Sequence, residues 1–440
     1  MHTSVWVSWG RSPVGGSLSG RLFPITILFL SASLSALAQD HPYGFEFSNP
    51  LSLSSGYDSH FVVGSETLSD TVSLLSGPDL SWKTTTHRTL FSFDYSPEFE
   101  FFAHRPDLDA WNHAATLAFR HRVNARWSVD FGDSFVSTMD SSRTLANSLI
   151  LLPWGRFDQN TLFGDLVYRF DKRTKITFRA DSVFTTVAMP SLHGALDNLT
   201  GAGTVTVDRS LSTRHQVSAT YSFIHVTPLD PQPSRTPTTV NLGLFGYTYD
   251  AQPGWQLHAT GGVTHGAQSG FTGSASIEKR VGGLWIAGGY QRYLGFFGAG
   301  APAGPVPPGQ FVFANGITPS LSYDTISLRA IGQLSRRIGL DVRAQRAVNG
   351  TTAPGLELRG VVGQARLDYR LNETVTLFAR VEHYGQTASL LVNQPISRNR
   401  YFGGLEIALS RPSPKPRNQR VHRSEDSDVI PPVDSSPEEK

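Results

Sequence analysis

The chain has 440 residues, 39% of them hydrophobic and 17% charged, with 41 Gly, 27 Pro and no Cys. Without cysteine there is no disulfide framework, thiolate metal site or cysteine nucleophile. A formal charge of +2, from 38 basic and 36 acidic residues, leaves no electrostatic footprint for nucleic acid.

Arg11 and Arg21 precede an apolar stretch, residues 22–30, and Ala36-Leu37-Ala38 then offers the small-residue triplet that a signal peptidase requires. The stretch is shorter than the roughly 20 residues of a membrane-spanning helix. Residues 1–38 therefore read as a cleaved signal peptide on an exported chain. No long apolar run follows, so helical spans are not expected.

The rest reads as strands. A weakly patterned pair near residues 51–63 and 71–82 comes first. Strict alternation then appears in Ile176, Phe178 and Ala180 against Thr177, Arg179 and Asp181. It recurs in Val217, Ala219, Tyr221 and Phe223 against Ser218, Thr220 and Ser222. Ile338, Leu340, Val342 and Ala344 oppose Asp341, Arg343 and Gln345, and Val375, Leu377, Ala379 and Val381 oppose Thr376, Arg380 and Glu382. Near the end, Leu405, Ile407 and Leu409 alternate with Glu406, Ala408 and Ser410. Successive strand side chains point to opposite faces, so each segment is apolar on one side and polar on the other.

Tight turns fall near Asn124, Asp171-Lys172, Ser212-Thr213, Gln252-Pro253-Gly254, Gly282-Gly283, Arg336-Arg337 and Asn372-Glu373. Longer polar or Gly/Pro-rich connections, notably residues 140–159, 227–237 and 296–316, lie between them. Short turns at one end and long loops at the other are the hairpin asymmetry of a transmembrane barrel. At about 20 residues per strand and connection, residues 39–410 hold roughly 18 strands, with 16 as the lower alternative. The expected fold is an all-β, transmembrane, antiparallel up-and-down β-barrel with short periplasmic turns and longer extracellular loops. The rival is a soluble β-sandwich. It is disfavoured because the strands show one apolar face and no second apolar set. Lipid also forbids open sheet edges, so a membrane sheet must close.

Trp127, Trp255, Trp285, Tyr168, Phe170, Tyr369 and Tyr401 are expected at strand ends beside turns, as aromatics of the membrane–water interface. The polar face, pointed inward, sets Arg329, Arg343, Arg366 and Arg380 on four consecutive strands as a cationic wall. Asp94, Asp130 and Asp165 are placed on strands two, four and five as an acidic wall across the pore. Charged walls set pore selectivity, and a transverse field would favour anionic or sugar-acid solutes. Local pairing of Arg179 with Asp181, Arg366 with Asp368 and Arg380 with Glu382 is the alternative. From Arg411 the chain is Pro-punctuated, first basic and then acidic, the composition of a disordered periplasmic tail over residues 411–440.

Gly56-Tyr57-Asp58-Ser59, the run Thr89-Leu90-Phe91-Ser92-Phe93-Asp94-Tyr95-Ser96-Pro97 and Trp111-Asn112-His113 together resemble outer-membrane β-barrel porins of the type associated with exopolysaccharide export systems. Gly404-Leu405-Glu406-Ile407-Ala408-Leu409 resembles the terminal strand read by the barrel assembly machinery. The resemblance implies an outer-membrane barrel and a link to envelope polysaccharide, and it brings no catalytic residues. Outer-membrane lipid, the assembly machinery and polysaccharide or export-system proteins are the implied partners.

No His-Glu-x-x-His run and no Gly-x-Ser-x-Gly elbow is present, so neither a zinc site nor a serine hydrolase is expected. His225 near Thr227 and His383 beside Glu382 read as chance neighbours. The Gly-rich run 295–300 leads into a Pro-rich loop and not into a helix, which excludes a phosphate cradle. The sequence thus points to a passive, cofactor-free channel for small hydrophilic solutes, or to an export port. Residues 140–159 and 296–316 are candidate constriction loops. A barrel enzyme acting on lipid or polysaccharide and a closed structural barrel are the alternatives.

Overall fold

The computed structural model describes residues 45–47, 50–63, 66–140, 142, 154–188, 197–229, 237–252, 254–266, 269–295, 321–351, 358–387 and 395–408. These residues form one continuous antiparallel sheet that closes on itself. Residues 1–38, expected as a signal peptide, the loop 296–316 and the expected tail 411–440 lie outside the described residues.

Eighteen barrel strands follow in chain order. Strand β1 comprises Phe45–Phe47 and Leu51–Val63, and β2 comprises Glu66–Ser76 and Leu80–Thr85. Both are interrupted at the same level: Phe45–Phe47 pairs with Leu80–Trp82, and Leu51–Val63 pairs with Glu66–Ser76. The two halves of β2 share one partner, β3 (Thr89–Phe102). The interruption explains the weak alternation expected there. Then come β4 (Ala110–Arg122), β5 (Trp127–Thr138), β6 (Arg156–Arg169), β7 (Thr174–Ala188), β8 (Asn198–Ser210) and β9 (His215–Pro228). They are followed by β10 (Thr238–Gln252), β11 (Trp255–Gly266), β12 (Gly270–Val281), β13 (Leu284–Gly295) and β14 (Leu321–Gln333). The last four are β15 (Ile338–Thr351), β16 (Leu358–Arg370), β17 (Val375–Gln386) and β18 (Ile396–Ile407).

Each strand pairs with the next, and β18 pairs with β1 from Leu51↔Ile407 to Ser59↔Asn399, so no edge is left. Closure requires room at this seam. Gly56 lies opposite Phe402, and a Cβ on it would collide with the Tyr401 carbonyl and the Phe402 ring. Gly404, also on the inner face, would meet the Leu53 carbonyl and the Phe378 ring. Glycine is needed here because the two backbones and an inward aromatic share the space.

At one end the strands are joined by turns of two to four residues; the other end carries the longer connections, including 139–155 and 296–320. Both termini of the barrel lie at the short-turn end. Four-residue turns repeat one device. Asn124, Asp171, Ser335 and Asn372 each accept two backbone N–H groups, from the residues two and three positions on, at 2.6–3.3 Å. These short polar side chains mimic the backbone in tight turns. The two-residue turns instead use Gly254 and Gly282, at φ +94° and +58°, where a side chain would be strained.

The outer face is apolar. Leu53, Phe131, Leu166, Phe245, Val263, Phe271, Ile326, Leu328, Leu367 and Val381 all point outward and stand exposed. Surface apolar patches of that extent belong in lipid, and a closed ladder satisfies the backbone there. The inner face is not uniformly polar, contrary to the expectation of a single apolar set. Ala202, Ile224, Val226 and Val240 form a buried inward cluster on β8–β10. A second, around Phe61, Val72, Leu74, Phe102, Trp154 and Phe402, lines β1–β3 and β18. Both lie toward the long-loop end.

Candidate functional site: the barrel lumen

The lumen is built from the strand faces opposite the apolar belt. Arg329, Arg343, Arg366 and Arg380 all point inward, on β14, β15, β16 and β17. Arg329 lies opposite Arg343, and Arg366 opposite Arg380. Asp94, Asp130 and Asp165 also point inward, on the third, fifth and sixth strands, each one strand later than expected, because the interrupted pair at the start counts as two. Strands β6 and β15 are half a circuit apart, so the two groups do face one another across the barrel.

The structure places a counter-charge beside almost every member. Asp341 lies 3.5 Å from Arg329 and 3.0 Å from Arg343. Arg366 reaches Asp368 at 2.8 Å and Glu406 at 2.5 Å, and Arg380 reaches Glu382 at 3.5 Å. On the other wall Asp130 binds Arg120 at 2.8 Å, and Asp165 and Asp181 bind Arg179 at 3.5 and 2.8 Å. Asp94 accepts a hydrogen bond from the Ser81 hydroxyl. The walls are therefore not a bare cationic and a bare acidic surface.

What distinguishes the partners is reach. The Arg343 side chain is 51% exposed against 24% for Asp341, and Arg120 is 44% exposed against 18% for Asp130. Short carboxylates stay near the wall, while long guanidinium stems carry their charge toward the water. At Arg343 and Arg120, one on each side of the lumen, the arginine is the more solvent-facing partner, whereas Arg366 and Asp368 are about equally exposed.

Toward the long-loop end lies a second assembly that the sequence reading missed. Arg398 on β18 binds Asp58 on β1 at 2.5 and 2.8 Å, and Asp140 at 2.9 and 3.0 Å. Arg400 binds Asp140 at 3.1 Å and Glu100 on β3 at 3.0 Å, with Glu382 on β17 at 3.6 Å. All these groups are buried, Arg400 to 2%. Asp140 belongs to the connection between β5 and β6, so that connection starts inside the barrel. It is held there at both ends. The Asp140 carboxylate accepts the Ser142 backbone N–H at 2.9 Å, and the Trp154 ring packs on Phe61 and Phe102 at 5.9 and 5.2 Å while its backbone N–H donates to the Val62 carbonyl. The expectation of a constriction loop at 140–159 meets these two inward anchors, with the strand resuming at Arg156 rather than after 159. Signals were present: Asp58 stands in the Gly56–Ser59 motif, and Arg398 and Arg400 share one strand face.

The aromatics expected at strand ends divide by face. Trp127, Tyr168 and Phe170 point outward at the short-turn end as a contiguous group, the first pair tilted and the second edge-on, with centroids 4.5 and 6.5 Å apart. Trp255 points outward under the Lys279 ammonium at 4.3 Å, and Tyr369 points outward near its turn. Trp285 does not belong with them. It lies opposite Ile331 on the inner face, with the Arg329 guanidinium 5.9 Å from its ring. Proximity to a turn set its height but not its face. Tyr401 does point outward, but in mid-strand opposite Tyr57 rather than beside a turn.

No family model matches the sequence, and no curated protein matches it. Among solved structures the chain is similar to the outer membrane protein OpdK from Pseudomonas aeruginosa, at 12% identity and a TM-score of 0.43, covering 83% of this chain and 100% of that one. It is likewise similar to OccK9 (OpdG) of the same organism, at 12% identity and 0.44, covering 82% and 98%. The siderophore receptor PirA, also from Pseudomonas aeruginosa, gives 9% identity and 0.38, covering 82% and 81%. A likeness at this level carries no functional inference. Nothing in the described residues bears on exopolysaccharide export.

Proposed function

We propose that the protein is a porin-like outer-membrane channel whose arginine-lined lumen passes small hydrophilic solutes and prefers anions. One observation carries this reading: inner-face side chains such as Arg343 and Arg120 are about half exposed although they lie inside a closed barrel. Exposure there requires water in the lumen, which a structural barrel packed shut would not provide. The preference comes from reach and not from net charge, since Arg343 and Arg120 stand far more exposed than the Asp341 and Asp130 they pair with. Such pairs carry little energy of their own and leave the arginine free to meet a passing anion. At the long-loop end the described ends of the β5–β6 connection, Asp140 and Trp154, are buried inside the barrel.

The test is single-channel conductance of the mature chain in a planar bilayer under a salt gradient. Steady openings with an anion-side reversal potential are expected, and Arg343→Ser with Arg366→Ser should move that potential toward zero. Silence from folded, inserted protein, or unchanged selectivity in the double variant, overturns the reading.

A further inference from the structure

We infer that the short-turn rim is a binding surface for anionic phospholipid headgroups in the leaflet that faces it. The inference goes beyond conduction and rests only on the membrane-spanning barrel. Five turns carry an arginine in the same position: Arg88, Arg126, Arg173, Arg214 and Arg337. In each, the residue two positions earlier (Thr86, Asn124, Asp171, Ser212 or Ser335) accepts the arginine's backbone N–H at 2.6–3.4 Å. The arginine's carbonyl accepts the N–H of the adjoining strand end, from Arg122, Arg169, Ser210, Asp250 or Arg370, at 2.7–2.9 Å. Both backbone groups are thus used to stitch neighbouring hairpins together. The five side chains are exposed, and their guanidinium groups have no partner among the described residues.

Position relative to the lipid belt identifies the ligand. Three residues before four of these arginines stand Val123, Phe170, Leu211 and Leu334, each outward and 47–62% exposed. They extend the outer-face ladder, bonded to Trp127, Thr174, His215 and Ile338 at 2.8–3.0 Å. An apolar side chain at the last level of the belt, followed within one turn by an exposed arginine, straddles the boundary between hydrocarbon and phosphate. Basic side chains at that boundary attract anionic lipid. Arginines on successive hairpins are two strands, about 10 Å, apart, too far to converge on one small anion. They are spread over the circumference from β2 to β9 and again at β14–β15. That spacing suits separate headgroups rather than a single solute. Lys172 and Arg336 add to the rim, and Asp171 is occupied in its turn.

The test reconstitutes the mature chain in phosphatidylcholine vesicles containing rising fractions of phosphatidylglycerol. The wild-type thermal midpoint should rise with phosphatidylglycerol, less so in high salt, and native mass spectrometry should show retained phosphatidylglycerol. Each Arg→Gln change should weaken that enrichment about fivefold, and the variant R88Q/R126Q/R173Q/R214Q/R337Q should lose the midpoint rise. Single variants R126Q and R173Q, with graded losses, decide the matter if the fivefold variant does not fold. Three results overturn the inference: equal phosphatidylglycerol dependence in wild type and rim variants, equal loss in the lumen variant R343Q/R366Q, or reproduction of the rise by inorganic phosphate in pure phosphatidylcholine. Conductance is not the readout, so a failed channel leaves this outcome distinct.

Discussion

The two ends of the barrel solve different problems with the same residue types. At the short-turn end each arginine is placed by a side chain two positions away, and its guanidinium is left to the solvent. At the long-loop end Arg398 and Arg400 are fully buried, and the Asp58, Glu100 and Asp140 carboxylates that they meet are 258 to 340 residues distant. A turn arginine is fixed by local backbone geometry and repeats wherever that geometry repeats. A buried arginine is fixed by the closure of the sheet, because only closure brings β18 beside β1 and β3 within reach. The first kind is expected to tolerate substitution and the second is not.

The largest expected effect is at the buried cluster. Arg400→Met leaves Asp58, Glu100 and Asp140 short of a counter-charge and should cost roughly 3–5 kcal/mol, measured by chemical unfolding in detergent micelles. A loss under about 1 kcal/mol would mean that the cluster is hydrated and behaves like an exposed pair. Asp140→Ala should in addition free the start of the β5–β6 connection and raise single-channel conductance; unchanged conductance would show that this connection does not narrow the passage.

Next comes the seam. Gly56→Val forces a side chain into the Tyr401 carbonyl and the Phe402 ring and should cost about 1–3 kcal/mol, seen as a lower temperature for loss of the compact band on a gel. Gly164→Ala, on a face with nothing within 4 Å, is the matched control and should be near neutral.

A smaller, spectroscopic contrast separates the two faces. Brominated lipid should quench Trp127 and Trp255 but leave Trp285 bright, since the last sits against Arg329 in the lumen. Quenching of Trp285 would put it back on the outer face.

The smallest effect is at a turn. The backbone N–H of Arg173, with that of Thr174, holds the Asp171 carboxyl below its ordinary value. A depressed folded pKa contributes stability that is complete above the unfolded value of about 4. It is lost as pH falls through the lower folded value. Asp171→Asn keeps the acceptor and removes the charge, so its acid-unfolding curve should lack this component. An unchanged curve would show that Asp171 adds no pH dependence.

Much of the barrel was legible because strand alternation, Asx-type turns and hairpin asymmetry are local. Val375, Leu377, Ala379 and Val381 do face outward, and Thr376, Arg380 and Glu382 do face inward, as their period of two requires. Seven turns fell where their polar or glycine residues indicated. The inward row of Arg329, Arg343, Arg366 and Arg380 was legible for the same reason. Trp285 was not, because it is the second residue of its strand after Leu284, whereas Trp255 is the first of its own, and a step of one residue changes the face. The buried inner clusters at Phe61 and Ile224 were hidden too, since an apolar residue on the polar face gives no sign of what covers it.

Period, turns and alternation are local properties of the chain, and with them comes a closed sheet, since no bilayer would accept an open one. Only the closed barrel settles which carboxylates Arg398 and Arg400 meet and that Asp140 and Trp154 are buried inside. These depend on contacts across the closed ring, and pairing over hundreds of residues leaves no local pattern to read.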